Sequence, residues 1–136
     1  MKLIGISGKA QSGKDTAACV LIKEYGFMRF AFADELKKQV IKYFNVPHED
    51  LYVKKTEAAR RIMQGYGLAM IEEVSLLYWV DIVMKQIEDE RRFNPGQKFV
   101  ISDVRHMSEM CAIQQAGGQV IRIERQDIPA VGYNMD

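Results

Sequence analysis

The sequence predicts an α/β fold in which a parallel sheet of about four strands carries helices on both faces. Four short apolar runs alternate with longer segments whose apolar residues recur at helical spacing. A glycine-rich loop stands between the first run and the first helical segment. Strands that alternate with helices favour parallel pairing through right-handed crossovers. The length of 136 residues predicts a single domain, residues 1–136.

The first strand is expected at residues 2–7, because it is apolar and short. The first helix is expected at residues 15–25 and should stop at Gly26, a typical C-terminal residue. A short aromatic run then predicts a second strand at residues 27–33. Asp34 is expected to cap the next helix, which should end near residue 44.

The middle of the chain predicts a polar loop followed by interrupted helices. Residues 48–55 read as the loop, and Thr56 is expected to cap a helix over 57–64. Gly65-Tyr66-Gly67 should interrupt this helix before it resumes to residue 73. A long amphipathic helix is expected over 75–92.

The last third predicts two more strands with a helix between them. A turn at residues 94–97 precedes an apolar strand, 98–102, that ends at Asp103. The helix is expected over 108–116 and the fourth strand over 119–124. The tail from Gln126 shows no clear element.

Residues 8–16 (GKAQSGKDT) form the strongest motif, a phosphate-binding loop of the Walker A type. Two glycines five positions apart let backbone N–H groups surround an anion, and the next helix adds its positive end. Lys14 would reach the β- and γ-phosphates of a nucleotide. The motif therefore predicts a P-loop NTPase-type three-layer fold that binds the phosphates of a nucleotide. The residues expected at the nucleotide are Gly8, Ser12, Gly13, Lys14, Asp15 and Thr16.

Three oxygen-bearing side chains predict a magnesium site. Asp15 stands where this motif usually has Ser or Thr, and the hydroxyl follows at Thr16. Asp103 ends an apolar strand, where a carboxylate can position Mg²⁺ or its water shell. The metal expected here is therefore Mg²⁺, bound beside the nucleotide phosphates, with Asp15, Thr16 and Asp103 on the protein side of the metal.

Arginines near the expected cleft are candidates for a second phosphate. Arg105 follows Asp103 by two positions, and its planar fork suits phosphate. Arg60 and Arg61 are adjacent on a helix and point about 100° apart, so at most one should face the cleft. A solvated basic face is the alternative for this pair. The candidate catalytic residues are Lys14, Asp103 and Arg105, and the candidate substrate residues are Arg60, Arg61 and Arg105.

The composition narrows the partners and the compartment. A net charge of +1 does not favour a nucleic acid polymer, and no apolar run reaches the roughly 20 residues that span a bilayer. Cys19 and Cys111 are isolated in helical patterns, where a thiol usually packs as a small apolar group. We expect a reduced, cytoplasmic protein whose partners are small-molecule nucleotides. The oligomeric state is left open, a homodimer included.

Taken together, these motifs resemble the phage-type deoxynucleoside monophosphate kinases, whose loop also contains Ser-Gly-Lys-Asp-Thr. The similar segments, in order, are residues 8–16, 32–37, 60–67, 78–80, 103–109 and 117–125. The resemblance implies transfer of the γ-phosphoryl group of ATP to a (deoxy)nucleoside monophosphate, giving the diphosphate and ADP. It also implies that Arg105, with Arg60 or Arg61, holds the acceptor phosphate.

The sequence departs from the family pattern on the acceptor side. Leu68-Ala69 follows Gly67, where the family has Thr and an acidic residue, and Glu72-Glu73 lies where a basic residue is expected. The family also continues past the position of Asp136, so either a truncated product or a shortened relative is expected. Two alternatives stay open: a P-loop kinase for another small-molecule acceptor, or a catalytically impaired nucleotide-binding protein with the kinase fold.

Overall fold

The computed structural model describes residues 2–9 and 12–124. Strands and helices alternate through most of this part of the chain, as the sequence predicts. Their order is β1 (Leu3–Gly8), α1 (Lys14–Tyr25), β2 (Phe27–Phe30), α2 (Phe32–Phe44), α3 (Glu49–Tyr52), α4 (Glu57–Glu73), α5 (Tyr78–Phe93), β3 (Lys98–Val104), α6 (Met107–Gln115) and β4 (Gln119–Ile123).

The four strands of the described residues form one parallel sheet in the order β2-β3-β1-β4. β1 is buried along its whole length, as expected for an inner strand of a parallel sheet. It pairs with β3 from Leu3 opposite Phe99 to Ser7 opposite Val104. The carboxyl ends of these two inner strands therefore lie at the same edge of the sheet.

Helices cover both faces of this sheet because β3 is apolar on both sides. Phe99 and Ile101 pack on one face with side chains of α5 and α6, including Val83 and Ile113. Val100 packs on the opposite face with residues of α1. The predicted α/β fold of the P-loop NTPase type, with three layers, is confirmed.

A separate apolar cluster joins α2, α3 and α4 beside the sheet. Its buried members are Val40, Val46, Leu51 and Ala59. Thr56 caps α4 as predicted, since its Oγ1 accepts a 3.1 Å hydrogen bond from the Ala59 N–H. The cluster holds α4 at a distance from the sheet, and the space between them becomes a cavity.

The prediction for the start of α2 was wrong. β2 ends at Phe30 and α2 begins at Phe32, so Asp34 lies inside the helix and not at its cap. The N-cap residue is Ala31, which has no side-chain acceptor. Asp34 instead pairs with Arg29 at 2.9 Å. The missing cap comes from a distant strand, which local sequence patterns do not reveal.

The prediction of a broken helix around residues 65–67 was also wrong. α4 runs without interruption from Glu57 to Glu73. Each helical glycine costs about 1 kcal/mol relative to alanine, but apolar contacts of Ile62, Met63 and Tyr66 with the neighbouring cluster outweigh this cost.

Smaller differences concern loops and cysteines. The expected loop at 48–55 contains the short helix α3, and α5 begins at Tyr78, three residues later than predicted. Cys19 and Cys111 are exposed, so the expectation that both pack inside was wrong. The expected irregular tail lies outside the described residues.

None of the helices in the described part of the chain combines the length and apolar character needed to span a bilayer.

Candidate active site

The predicted phosphate loop, residues 8–16, begins where β1 ends, and the space around its first glycine excludes a side chain. Gly8 has a φ of 150°, and a Cβ atom there would clash with the carbonyl oxygen of Ile123 and lie 2.8 Å from Ser12 Oγ. No other residue would fit this position without a shift of the backbone. Gly8 therefore lies directly against the end of β4.

The start of α1 is suited to bind an anion. Gly13 is its N-cap residue, with φ of 98°, and it has no side chain to occupy the N–H groups of the first turn. Ser12 is buried, and its Oγ has no hydrogen-bond partner among residues 2–9 and 12–124. A buried hydroxyl without a partner costs about 1–3 kcal/mol. A phosphate oxygen in the loop would accept from both groups, so these residues fit a nucleotide's phosphates.

The expected metal residues are placed differently from one another. Asp15 and Thr16 are exposed in the first turn of α1. Asp103 is half-buried, and its two oxygens accept the N–H groups of Phe32 and Ala33, each at 2.9 Å. Its remaining lone pairs are free for a water bound to a metal.

Magnesium usually keeps several waters and binds one or two protein oxygens together with substrate phosphates. The described residues contain no group of three or more His, Cys, Asp and Glu side chains that could hold a metal ion by themselves. The Asp15 and Thr16 oxygens therefore fit Mg²⁺ that is bound mainly by nucleotide phosphates. The metal roles of Asp15, Thr16 and Asp103 stay predictions.

A pocket lies between α4 and the carboxyl end of β3, with a volume of about 570 Å³. This volume is in the range of small-molecule sites. The residues that line it come from α2, the loop before α4, α4, α5, β3 and the start of α6. They are Phe32, Ala33, Leu36, Lys55, Arg60, Met63, Gln64, Gly67, Ile71, Trp79, Asp103, Arg105, His106 and Glu109.

Basic groups gather where α4 begins. Arg60 and Arg105 both line the pocket, together with Lys55 from the loop before the helix. Partial burial lowers the pKa of Lys55, and the positive charges of Lys37, Arg60 and Arg105 lower it further. The cations at this end therefore repel one another, and a bound anion would relieve that repulsion.

The two adjacent arginines of α4 have different surroundings. Arg60 lines the pocket, whereas Arg61 lies outside it and its Nε is 3.4 Å from Glu57 Oε1. The Arg61 and Glu57 side chains are both exposed. Only Arg60 of this pair is placed to reach a ligand in the pocket.

The other end of the pocket is apolar. Gly67 and Ile71 continue the α4 face that begins at Arg60, and Leu36 and Trp79 lie beside them. The Trp79 Nε1–H donates a 3.2 Å hydrogen bond to the Gly67 carbonyl oxygen. Gly67 lies about 10 Å along the helix from Arg60, by the 1.5 Å rise per residue.

This apolar wall is held by a polar network behind it. The hydroxyl groups of Tyr66 and Tyr78 both donate to Gln39 Oε1, at 2.6 and 3.2 Å. Both tyrosine rings meet Trp79 edge to face. The network joins α2, α4 and α5, so it fixes the orientation of the indole.

Sequence reasoning missed several groups in this pocket. Lys55 stands in a polar loop and gives no local signal, and Gln64 looks like any exposed helix residue. Trp79 is a buried aromatic residue of α5, but it also lines the pocket. Trp79 lines the pocket only because α4 packs close to α5, and no local sequence pattern specifies that packing.

The parallel sheet, the phosphate loop at the end of an inner strand and the basic pocket beside it define an α/β protein of the P-loop kinase type. The family described as deoxynucleotide monophosphate kinase matches residues 2–59 and 50–134. A protein of Acanthamoeba polyphaga mimivirus named "Putative deoxynucleotide monophosphate kinase" is 30% identical over 155 aligned residues, which cover 94% of this chain and 76% of that protein. The chain belongs to the deoxynucleotide monophosphate kinase family, which confirms the resemblance seen in its motifs.

Proposed function

We propose that the protein transfers the γ-phosphoryl group of ATP to the phosphate of a deoxynucleoside monophosphate, giving the diphosphate and ADP. The observation that carries this proposal is the pocket between α4 and β3, which is basic at one end and apolar at the other. A nucleoside monophosphate has the same division between a charged and a less polar end. Membership of the kinase family supports phosphoryl transfer as the reaction.

The two binding regions start from neighbouring strands. Ser7, just before the phosphate loop, is opposite Val104, just before Arg105. Paired strands lie about 4.8 Å apart. A donor phosphate in the loop and an acceptor phosphate at Arg105 would therefore approach each other at the same edge of the sheet.

On the donor side, the chain would bind ATP through Ser12 and the first turn of α1. The first-turn N–H groups of α1 and the Ser12 hydroxyl would donate to phosphate oxygens. Lys14 would neutralise charge on the β- and γ-phosphates. Asp15 and Thr16 would hold Mg²⁺, which neutralises phosphate charge when it is bound.

On the acceptor side, Arg60, Arg105 and Lys55 would hold the monophosphate with one oxygen directed at the donor. That oxygen forms a bond to the γ-phosphorus while the bond to the β–γ bridging oxygen breaks, and ADP leaves with the electron pair. The attacking oxygen is already ionised, so no strong base is required. The contribution of the protein is position and charge neutralisation.

The apolar end would receive the nucleoside. Leu36, Ile71 and the Trp79 indole offer apolar contacts to a sugar and base, and Gln64 offers an amide beside them. The absence of a side chain at Gly67 leaves room between α2 and α4, because a Cβ there would lie 3.2 Å from Leu36 Cδ2.

The test is to incubate the protein with γ-labelled ATP, Mg²⁺ and each of the four common deoxynucleoside monophosphates. Label should appear in at least one nucleoside diphosphate, with release of ADP. Label found only in a different phosphorylated or hydroxylated acceptor would favour a kinase of another small molecule. ATP binding without transfer to any acceptor would favour a nucleotide-binding protein that has lost activity.

A further inference from the structure

Glu109 lines the basic end of the pocket from the first turn of α6, and it is 8% exposed. Its Oε1 accepts two backbone hydrogen bonds, from the Arg105 N–H at 2.7 Å and from the His106 N–H at 2.9 Å. A buried carboxyl group is uncommon unless it has such partners. The mechanism proposed above does not use this group.

The hydrogen bond from the Arg105 N–H to Glu109 lies outside the usual capping arrangement of a helix. His106 is the N-cap residue of α6, so a bond to its N–H belongs to the usual capping arrangement. Arg105 lies one residue before the cap, in the segment that connects β3 to α6. Glu109 therefore fixes the backbone at the residue whose side chain enters the pocket.

This arrangement leaves the Arg105 guanidinium available to the pocket. Glu109 engages the Arg105 backbone N–H, and the Arg105 side chain is exposed at the pocket lining. Burial raises the pKa of Glu109, whereas the two N–H bonds oppose that rise. An uncharged carbonyl oxygen could make the same two bonds, which gives a direct way to test the role of the group.

We propose that Glu109 is a positioning residue for the acceptor, which holds the Arg105 backbone so that the guanidinium meets the acceptor phosphate. This inference rests on the proposed function, because it deepens the role of Arg105 in that pocket. It assigns Glu109 no contact with the reacting atoms.

The experiment compares Glu109→Ala, Glu109→Gln, Arg105→Ala and the double variant Glu109→Ala/Arg105→Ala. The quantities measured are kcat and the KM values for ATP and for the monophosphate that the wild type phosphorylates best. Gln97→Ala is the control, because it removes a hydrogen bond to the backbone far from the pocket. Gln97, just before β3, donates from its Nε2 to the carbonyl oxygen of Gly26, just before β2, at 2.8 Å. Urea unfolding of each variant separates loss of folded protein from loss of binding.

We expect Glu109→Ala to raise the KM for the monophosphate about tenfold, because small displacements of a positioning group are costly, with the KM for ATP unchanged. Glu109→Gln should stay within about twofold of the wild type, since the amide oxygen still accepts. The double variant should be no worse than Arg105→Ala, because Glu109 acts through that residue. Gln97→Ala should leave both KM values unchanged.

Two results would overturn the inference: an unchanged monophosphate KM in Glu109→Ala, or independent effects that multiply in the double variant. If Glu109→Ala does not fold, Glu109→Asp replaces it, because the shorter side chain cannot reach both N–H groups. If the wild type phosphorylates no monophosphate, the proposed function fails. The dissociation constants of the same variants for monophosphates, read from the fluorescence of the single tryptophan, then decide the role of Glu109. If the dissociation constant of Glu109→Ala for the monophosphate equals that of the wild type, or if the wild type binds no monophosphate, the inference about Glu109 is also overturned.

Discussion

The Oδ1 atom of Asp103 accepts a 2.9 Å hydrogen bond from the backbone N–H of Phe32, 71 residues earlier in the chain. Its Oδ2 accepts the N–H of Ala33 in the same way. Because Ala31 cannot cap α2, a carboxylate from β3 performs this task. Asp103 thereby joins the sheet to the helix that supplies one wall of the pocket, in addition to any role at a metal.

Replacement of Asp103 should therefore reduce stability. Asp103→Ala removes both acceptors and should lower the free energy of unfolding by about 1–2 kcal/mol, as measured for lost helix caps. Asp103→Asn keeps one acceptor oxygen and should cost less. Urea unfolding measures both values. Asp34→Ala is the control, because its exposed pair with Arg29 should contribute less than about 1 kcal/mol. Equal stability of the Asp103→Ala variant and the wild type would contradict the cap.

The adjacent arginines of α4 provide a matched pair for the acceptor site. Arg60→Ala should raise the KM for the monophosphate by about ten- to a hundredfold, since a charged hydrogen bond to phosphate is lost, and should leave the KM for ATP unchanged. Arg61→Ala should change neither constant, because Arg61 lies outside the pocket. Similar effects of the two substitutions would show that the basic end of the pocket is not the site of the acceptor phosphate.

Lys55 should show a conflict between stability and binding. Its pKa is lowered from the ordinary value of 10.5, so the folded protein releases this proton more readily than the unfolded chain. Stability should therefore rise with pH through the window between the two pKa values, and the charged form is unfavourable below it. Lys55→Met should increase the free energy of unfolding at pH 7, by less than about 1 kcal/mol because the group is exposed.

The same Lys55→Met substitution should weaken binding of the monophosphate at pH 7, and its gain in stability should disappear near pH 10.5, the ordinary lysine value. Urea unfolding at the two pH values and fluorescence titration measure these effects. Lys85→Met, on the exposed surface of α5, is the control. A loss of stability in Lys55→Met at neutral pH would show that the cluster of cations is not unfavourable.

Two glycines in α4 test the shape of the pocket. A Cβ at Gly65 would meet no atom within 4 Å, whereas a Cβ at Gly67 would lie 3.2 Å from Leu36 Cδ2. Gly65→Ala should stabilise the protein by about 1 kcal/mol through helix propensity. Gly67→Ala should gain less than this and should raise the KM for the monophosphate. Identical results for the two variants, in unfolding and in kinetics, would show that Gly67 does not shape the site.

Local patterns predicted those parts of the fold that local forces determine. The apolar strands, Gly26 as the end of α1 and Thr56 as the cap of α4 follow from short stretches of sequence, and all are confirmed. The cap of α2 could not be predicted, because its acceptor lies on a strand 71 residues away. The continuity of α4 through Gly65 and Gly67 depends on tertiary contacts that outweigh propensity.

The candidate site shows the same division. The predicted phosphate loop is a continuous motif, so it could be proposed from the sequence alone. The proposed acceptor pocket combines Lys55, Arg60 and Arg105 with residues of α2 and α5, and only the fold brings them together. Arg60 and Arg105 could be proposed from their spacing and resemblance, but Lys55 and the proposed positioning role of Glu109 required the structure.

The most direct test of the central claim is transfer of label from γ-labelled ATP to a deoxynucleoside monophosphate by the wild type and by Lys14→Ala. The wild type should form labelled diphosphate, and Lys14→Ala should be slower by at least about a hundredfold while it remains folded, because a charge that stabilises the transferred group is lost. Lys23→Ala, in the last turn of the same helix, should remain fully active. Full activity of Lys14→Ala, or no transfer by the wild type to any deoxynucleoside monophosphate, would contradict the account.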